Sequence, residues 1–187
     1  MCLRIIYVLV TLLLSNMVAY GQILTNGKCP VVEPMTDFKI QPFLGVWYEV
    51  FRFYDQFEEG QSCIRMEYTL KPNEHIGLHN YGDLPDNTTV VAEGDGYVSD
   101  PSIPARYMVT FSGSKLPLDY SIIATDYTYH ALVFSCTEFL DMANAQFAWV
   151  LSRNRTIDNK VMQRLVAKLS CFGVGVDNFE DSPQLNC

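Results

Sequence analysis

Cys63-Ile64-Arg65-Met66-Glu67-Tyr68-Thr69-Leu70-Lys71 is the stretch on which the fold turns. Ile64, Met66, Tyr68 and Leu70 alternate with Arg65, Glu67, Thr69 and Lys71, so an extended chain puts the apolar set on one face and the polar set on the other. That pattern predicts a strand with one buried and one solvated face. Working outward, Pro72-Asn73-Glu74 turns the chain, and the next run sets Ile76, Leu78, Asn80, Gly82 and Leu84 against His75, His79, Tyr81 and Asp83. Leu84-Pro85-Asp86-Asn87 turns it again.

The same plan continues on both sides. Between Gly45 and Ser152 there are about eight short runs rich in β-branched and aromatic residues, separated by turn chemistry. After the first, which opens at Gly45, and the two above, they are predicted at Thr88–Val98, Arg106–Phe111, Tyr120–Thr125, Tyr129–Thr137 and Ala145–Ser152. Gly94 and Gly96 inside the run from Thr88 predict a bend or a close backbone approach. Gaps of a few residues make neighbours antiparallel hairpin partners. A helix is predicted only afterwards, from Asp158 to Ser170: Ile157, Val161, Leu165 and Leu169 recur every four residues, Met162 and Val166 widen the stripe, Thr156 or Asp158 can cap the start, and Gly173 follows the end. Sequential antiparallel strands with one late amphipathic helix predict an all-β, eight-stranded up-and-down barrel with a single C-terminal helix packed outside; a sandwich fits less well because its cross-sheet connections are longer.

Of 187 residues, 49% are hydrophobic, 13% aromatic and 18% charged, with a formal net charge of −8. Such a chain has ample surface to bury, and its acidic balance makes nucleic acid a poor partner. At the start, Arg4 precedes the apolar run Ile5-Ile6-Tyr7-Val8-Leu9-Val10-Thr11-Leu12-Leu13-Leu14, and Ala19-Tyr20-Gly21 offers small residues at the cleavage positions. Residues 1–21 therefore read as a signal peptide cut before Gln22, leaving residues 22–187 as one secreted, extracellular domain. The apolar run is too short and interrupted for a membrane span. With Cys2 in the leader, Cys29, Cys63, Cys136, Cys171 and Cys187 enter an oxidising compartment, where four can form two bridges and one is left over; spacing does not choose the pairs. Asn87-Thr88-Thr89 and Asn154-Arg155-Thr156 are glycosylation acceptors in that compartment.

Three motifs fall at meaningful places: Gly45-Val46-Trp47-Tyr48 opens the first barrel strand, Thr125-Asp126-Tyr127 turns between the sixth and seventh, and Arg153 ends the eighth. Their order and spacing resemble the lipocalin family, and the resemblance extends from Gly27-Lys28-Cys29-Pro30 to the terminal Asn186-Cys187. It implies a calyx that binds and transports a small hydrophobic molecule of the fatty acid, steroid or retinoid class. It also implies Cys29–Cys136 and Cys63–Cys187 disulfides, each closing a loop of over a hundred residues; a chain-entropy treatment gives roughly 4–5 kcal/mol apiece. Cys171 is then a partly buried free thiol in a monomer, or the bridge of a disulfide dimer. Trp47 is placed to plug the closed end with the Arg153 guanidinium over its indole, so Gly45, Trp47, Thr125, Asp126, Tyr127 and Arg153 are structural.

Strand parity nominates the cavity wall: Met66, Tyr68 and Leu70; Leu78, Asn80, Gly82 and Leu84; Tyr107, Val109 and Phe111; Phe147 and Trp149. The ligand-binding set is Met66, Tyr68, Leu78, Asn80, Tyr107, Val109, Phe111, Phe147 and Trp149, mostly apolar with a few orienting polar groups. In relatives of the apolipoprotein type, the resemblance implies, the positions of Tyr68, Asn80, Phe111 and Trp149 line the pocket. Glu49 shares the inward parity of Trp47, but first strands of such barrels are often bulged, which leaves it unassigned. The mouth carries the turns near Phe53–Phe57, Leu84–Asn87, Lys115–Leu118 and Phe139–Met142, where Leu116, Pro117, Leu118, Phe139, Leu140 and Met142 are apolar. Those residues either fold inward as a lid or dock on a membrane or lipoprotein surface.

No catalytic motif is present: the chain lacks G-x-S-x-G, H-E-x-x-H and a phosphate loop. His75 and His79 share an outer strand face without a third ligand nearby, so neither a metal nor a cofactor is expected. One lipocalin relative is an isomerase with a pocket cysteine, and no inward barrel cysteine is found here. Some arthropod lipocalins hold a bilin, which needs no inward histidine, so a biliverdin-type pigment is the alternative occupant.

Overall fold

The computed structural model describes residues 23–114 and 116–187; the signal-peptide and cleavage expectations, and Lys115, lie outside the described residues. Alternation becomes a barrel because each strand has one apolar face to hide, and a sheet closed on itself hides all of them at once. The barrel strands are β2 (Gly45–Phe53), β3 (Ser62–Leu70), β4 (Ile76–Asp83), β5 (Thr89–Val98), β6 (Arg106–Phe111), β7 (Leu118–Thr125), β8 (His130–Phe139) and β9 (Ala143–Ser152). Each pairs antiparallel with the next, and β9 returns to β2 to close the wall. The predicted fold class stands, with boundaries shifted by up to two residues at β7, β8 and β9.

Two short strands extend the sheet beyond what alternation announces. β1 (Ile23–Asn26) pairs with β9, from Ile23 opposite Gln146 to Asn26 opposite Ala143. β10 (Phe179–Asp181) pairs with β2, Phe179 opposite Phe53 and Asp181 opposite Phe51. The chain beyond β10 seals the seam where β2 and β3 diverge: Ser182 N donates to Val50 O, Cys63 N to Pro183 O, and the Gln184 amide to both Glu49 O and Ile64 O. β2 is bulged between Glu49 and Phe51, and β3 is irregular between Ser62 and Arg65. A short helix α1 (Ile40–Phe43) underlies the closed end, and a single 3-10 turn (Val176–Asn178) precedes β10.

Helix α2 (Asn159–Ser170) begins at Asp158, whose carboxylate accepts from Lys160 N at 2.8 Å and Val161 N at 3.2 Å. That bond satisfies backbone donors with no partner inside the helix. Its stripe packs outside the barrel: Leu165 and Leu169 are buried against Ile123, Leu132, Phe134, Ala148 and Val150, with Ile157, Val161 and Met162 alongside. Two apolar layers result, one inside the barrel and one between barrel and helix. Disulfides join Cys29 to Cys136 and Cys63 to Cys187. Cys171 is free and exposed, which corrects the expectation of a partly buried thiol: it stands just past the helix, clear of the packed stripe.

Candidate functional site

The closed end is built from residues that neutralise their own backbone. Trp47 is fully buried, and its indole N–H donates to Phe43 O at 2.8 Å, satisfying a carbonyl at the end of α1. The Arg153 guanidinium lies 3.7 Å from the Trp47 ring and donates to the carbonyls of Pro42, Phe43, Leu44, Val46 and Tyr127. Gly45 holds φ +92°, where a side chain would be strained. Thr125 Oγ1 donates to His130 O and accepts from Tyr127 N, while the Asp126 carboxylate accepts from the backbone of Thr128, Tyr129 and His130. Burial pushes the Asp126 carboxyl up, but those N–H donors outweigh it and hold the group below its ordinary value. Phe38 and Phe43 complete an aromatic floor with Tyr68, Tyr107 and Tyr127.

Above this floor the barrel opens into a cavity of about 770 Å³. Met66, Asn80, Phe111, Phe147 and Trp149 line it. Tyr68, Leu78, Tyr107 and Val109 also face inward but sit lower, packed into the core around Trp47 rather than on the cavity surface. Parity alone gives direction and not height along the axis, and height separates the two groups. Leu70, nominated by the same parity, is exposed because β3 ends there. Ile64, Val90, Val91, Ala92, Leu118 and Tyr120 complete the apolar wall, and Asp55, Phe57, Glu58 and Gln61 reach it from the loop after β2. The loop residues carry no periodic signal, so strand parity does not reach them.

The wall has a sparse set of polar atoms. The Tyr68 and Tyr120 hydroxyls share a hydrogen bond of 2.5 Å, and burial pushes both phenols well above their ordinary values. Asn80 Oδ1, Ser135 Oγ and the Trp149 indole N–H are buried without a protein partner. Gly94 and Gly96 of β5 keep the interior open: a Cβ on Gly96 would come within 2.8 Å of Ile76 Cγ1, and one on Gly94 within 3.1 Å of Phe111. The histidines are engaged on the outside. His75 hydrogen-bonds Asp95 at 2.7 Å and stacks on Tyr97, His79 lies 3.9 Å from Glu93, and His130 lies 3.2 Å from Asp126.

The family model of the lipocalin-like domain matches residues 38–184. The chain is a lipocalin. Its similarity to apolipoprotein D of Mus musculus is 34% identity over 169 residues, covering 90% of this chain and 89% of that protein. The lipocalin is also 31% identical over 150 residues to the outer membrane lipoprotein Blc of Escherichia coli strain K12, covering 79% of this chain and 80% of Blc. Among solved structures it superposes on insecticyanin from the tobacco hornworm Manduca sexta with a TM-score of 0.74 and 24% identity, covering 87% and 89% of the two chains. Lobster apocrustacyanin A1 gives 0.75 and 19%, covering 88% and 93%. These structures share the lipocalin's fold.

Proposed function

We propose that this lipocalin is a secreted carrier that binds a small hydrophobic molecule in its barrel cavity. The observation behind the reading is the cavity itself: about 770 Å³, walled mainly by Ile64, Met66, Val91, Phe111, Phe147 and Trp149, with a few buried polar atoms that no protein group satisfies. An apolar ligand gains roughly 25 cal/mol for each Å² withdrawn from water, and the unpartnered atoms orient its polar end. The role is binding and transport, not catalysis. Secretion accords with the predicted leader and with the two disulfides, which persist in oxidising compartments. Asn87 and Asn154 are exposed, as glycan attachment requires.

Titration with a retinoid, a steroid and a fatty acid tests the reading, because any of them seated in the cavity quenches Trp149 emission. Replacement of Trp149 by Ala weakens binding about tenfold or more while the protein is still secreted and folded; unchanged affinity in that variant places the ligand elsewhere. A bilin is the second occupant to test, since a tetrapyrrole needs no histidine ligand and a cavity of about 770 Å³ is walled mainly by apolar and aromatic residues. Blue or green colour in protein isolated from its source favours it, and a colourless preparation that binds lipid removes it.

A further inference from the structure

The cavity wall is acidic where β2 ends. Arg52 Nη1 stands 3.1 Å from Glu49 Oε1 and 3.6 Å from Glu58 Oε2, and its Nε lies 3.3 Å from Glu180 Oε1 on β10. Asp55 is buried beside them, its Oδ1 accepting from Glu58 N at 2.9 Å. Ser182 Oγ donates to Glu49 Oε1 at 2.6 Å. One guanidinium thus pairs with Glu49, Glu58 and Glu180, with Asp55 beside them; Glu49 Oε2 and Glu58 Oε2 are buried with no hydrogen bond, the latter only within ion-pair distance of Arg52. Asp55 and Glu58 are on the cavity surface, whereas none of the described residues lining it is Lys, Arg or His.

A second, independent sign comes from β8. Ser135 is 1% exposed, lines the same cavity, and has no partner for its Oγ. Asn80 Oδ1 on β4 is unpartnered in the same space. Buried polar atoms without partners are costly; in this cavity Asn80 Oδ1 accepts, the Trp149 N–H donates and Ser135 Oγ can do either, so the acidic side chains Asp55 and Glu58 set the preference. We infer that the cavity selects amphiphiles whose polar end donates hydrogen bonds to Glu58, a protonated amine first and an alcohol second, and disfavours the carboxylate of the same chain length.

This preference rests on the carrier reading above and assigns its ligand class. A carboxylate placed there meets like charge, with Arg52 already shared, and its own lone pairs find no free cation. An ammonium has three donors to share between the acidic side chains on the cavity surface and Asn80 Oδ1. The groups facing Glu58 are Glu49 and Arg52 of β2, Asp55 of the loop, Glu180 of β10, and the hydroxyls of Tyr68 and Tyr120. Burial first, and then the charges of Glu49 and Asp55, push the Glu58 carboxyl well above its ordinary value.

Displacement of the neutral fluorophore N-phenyl-1-naphthylamine from the full-length secreted protein by decylamine, decanol and decanoate at pH 7.5 tests the inference. Decylamine displaces it at least tenfold more tightly than decanoate, with decanol between. Glu58→Gln reduces the amine-to-decanoate ratio to below threefold, while an unchanged far-UV circular dichroism spectrum and a cooperative thermal transition report that the variant is folded. Equal or tighter binding of decanoate to the unaltered protein, or a ratio untouched by Glu58→Gln, overturns the inference while the carrier reading stands. Failure of the fluorophore and all three chains to bind overturns both.

Discussion

Arg153 and Glu49 are both charged groups turned toward the barrel, and the structure treats them in opposite ways. Arg153 is surrounded by acceptors: carbonyls that α1 and the following turn leave without partners, and the face of Trp47. Replacing Arg153 with Ala strands those carbonyls, and hydrogen bonds to a charged donor are worth about 1.5–3 kcal/mol net. Urea denaturation should show a loss at the upper end of that range, with m unchanged, and a loss under about 0.5 kcal/mol would mean that water replaces the guanidinium without cost. Glu49 is fully buried, and burial lifts its carboxyl from an ordinary 4.5 to about 7 against the opposing pull of Ser182 and Arg52. The folded state therefore holds this proton more tightly than the unfolded chain. Its contribution to stability is complete below about pH 4.5 and is lost as pH rises through 7. The melting temperature should be higher at pH 5 than at pH 8, by a free-energy difference on the order of 3 kcal/mol, and Glu49→Gln should flatten that dependence. A melting temperature that rises across the same interval would contradict the assignment.

Elements with a period were legible, and elements without one were not. β3, β4 and α2 could be read from apolar spacing, because each must hide a face and the hiding fixes the period, and the other barrel strands from β-branched and aromatic runs between turns. β1, β10 and α1 are three or four residues long, too short to show any period, and they form because neighbouring strands offer unpaired edges and carbonyls. The site divides along the same line. Parity found Met66, Asn80, Phe111, Phe147 and Trp149, but it could not tell them from the deeper Leu78 and Val109, and it had no access to Asp55 or Glu58 in an aperiodic loop. The bulge in β2 is what turns Glu49 and Arg52 into one cluster, since residues three apart on a regular strand point to opposite faces. β5 supplies the element-scale prediction. A methyl on Gly96 meets Ile76 Cγ1 at 2.8 Å and Val109 Cγ2 at 3.1 Å, so Gly96→Ala overpacks the interior and should cost about 1–3 kcal/mol by chemical denaturation. A stabilised variant would show that Ile76 has room to move.

At the scale of the whole molecule the two ends of the barrel differ in kind. The closed end is a floor of aromatic rings under Arg153, whereas the open end carries exposed apolar side chains on separate loops: Phe57, Leu116, Phe139, Leu140 and Met142. Leu118, nominated with that group, opens β7 and lines the cavity, so it belongs to the interior wall. Exposed apolar side chains on loops at the mouth of an acidic protein are of the kind that a lipid interface would cover. Net charge opposes binding to anionic bilayers, which makes a neutral phosphatidylcholine surface the appropriate partner. The protein should float with neutral liposomes, and the double substitution Leu116→Ser and Leu140→Ser should reduce the bound fraction several-fold. Affinity for a ligand presented in solution should stay within about twofold, because neither residue lines the cavity. If flotation is unchanged by the substitutions, or absent in the unaltered protein, the rim serves only to guard the mouth, and the carrier meets its cargo in water.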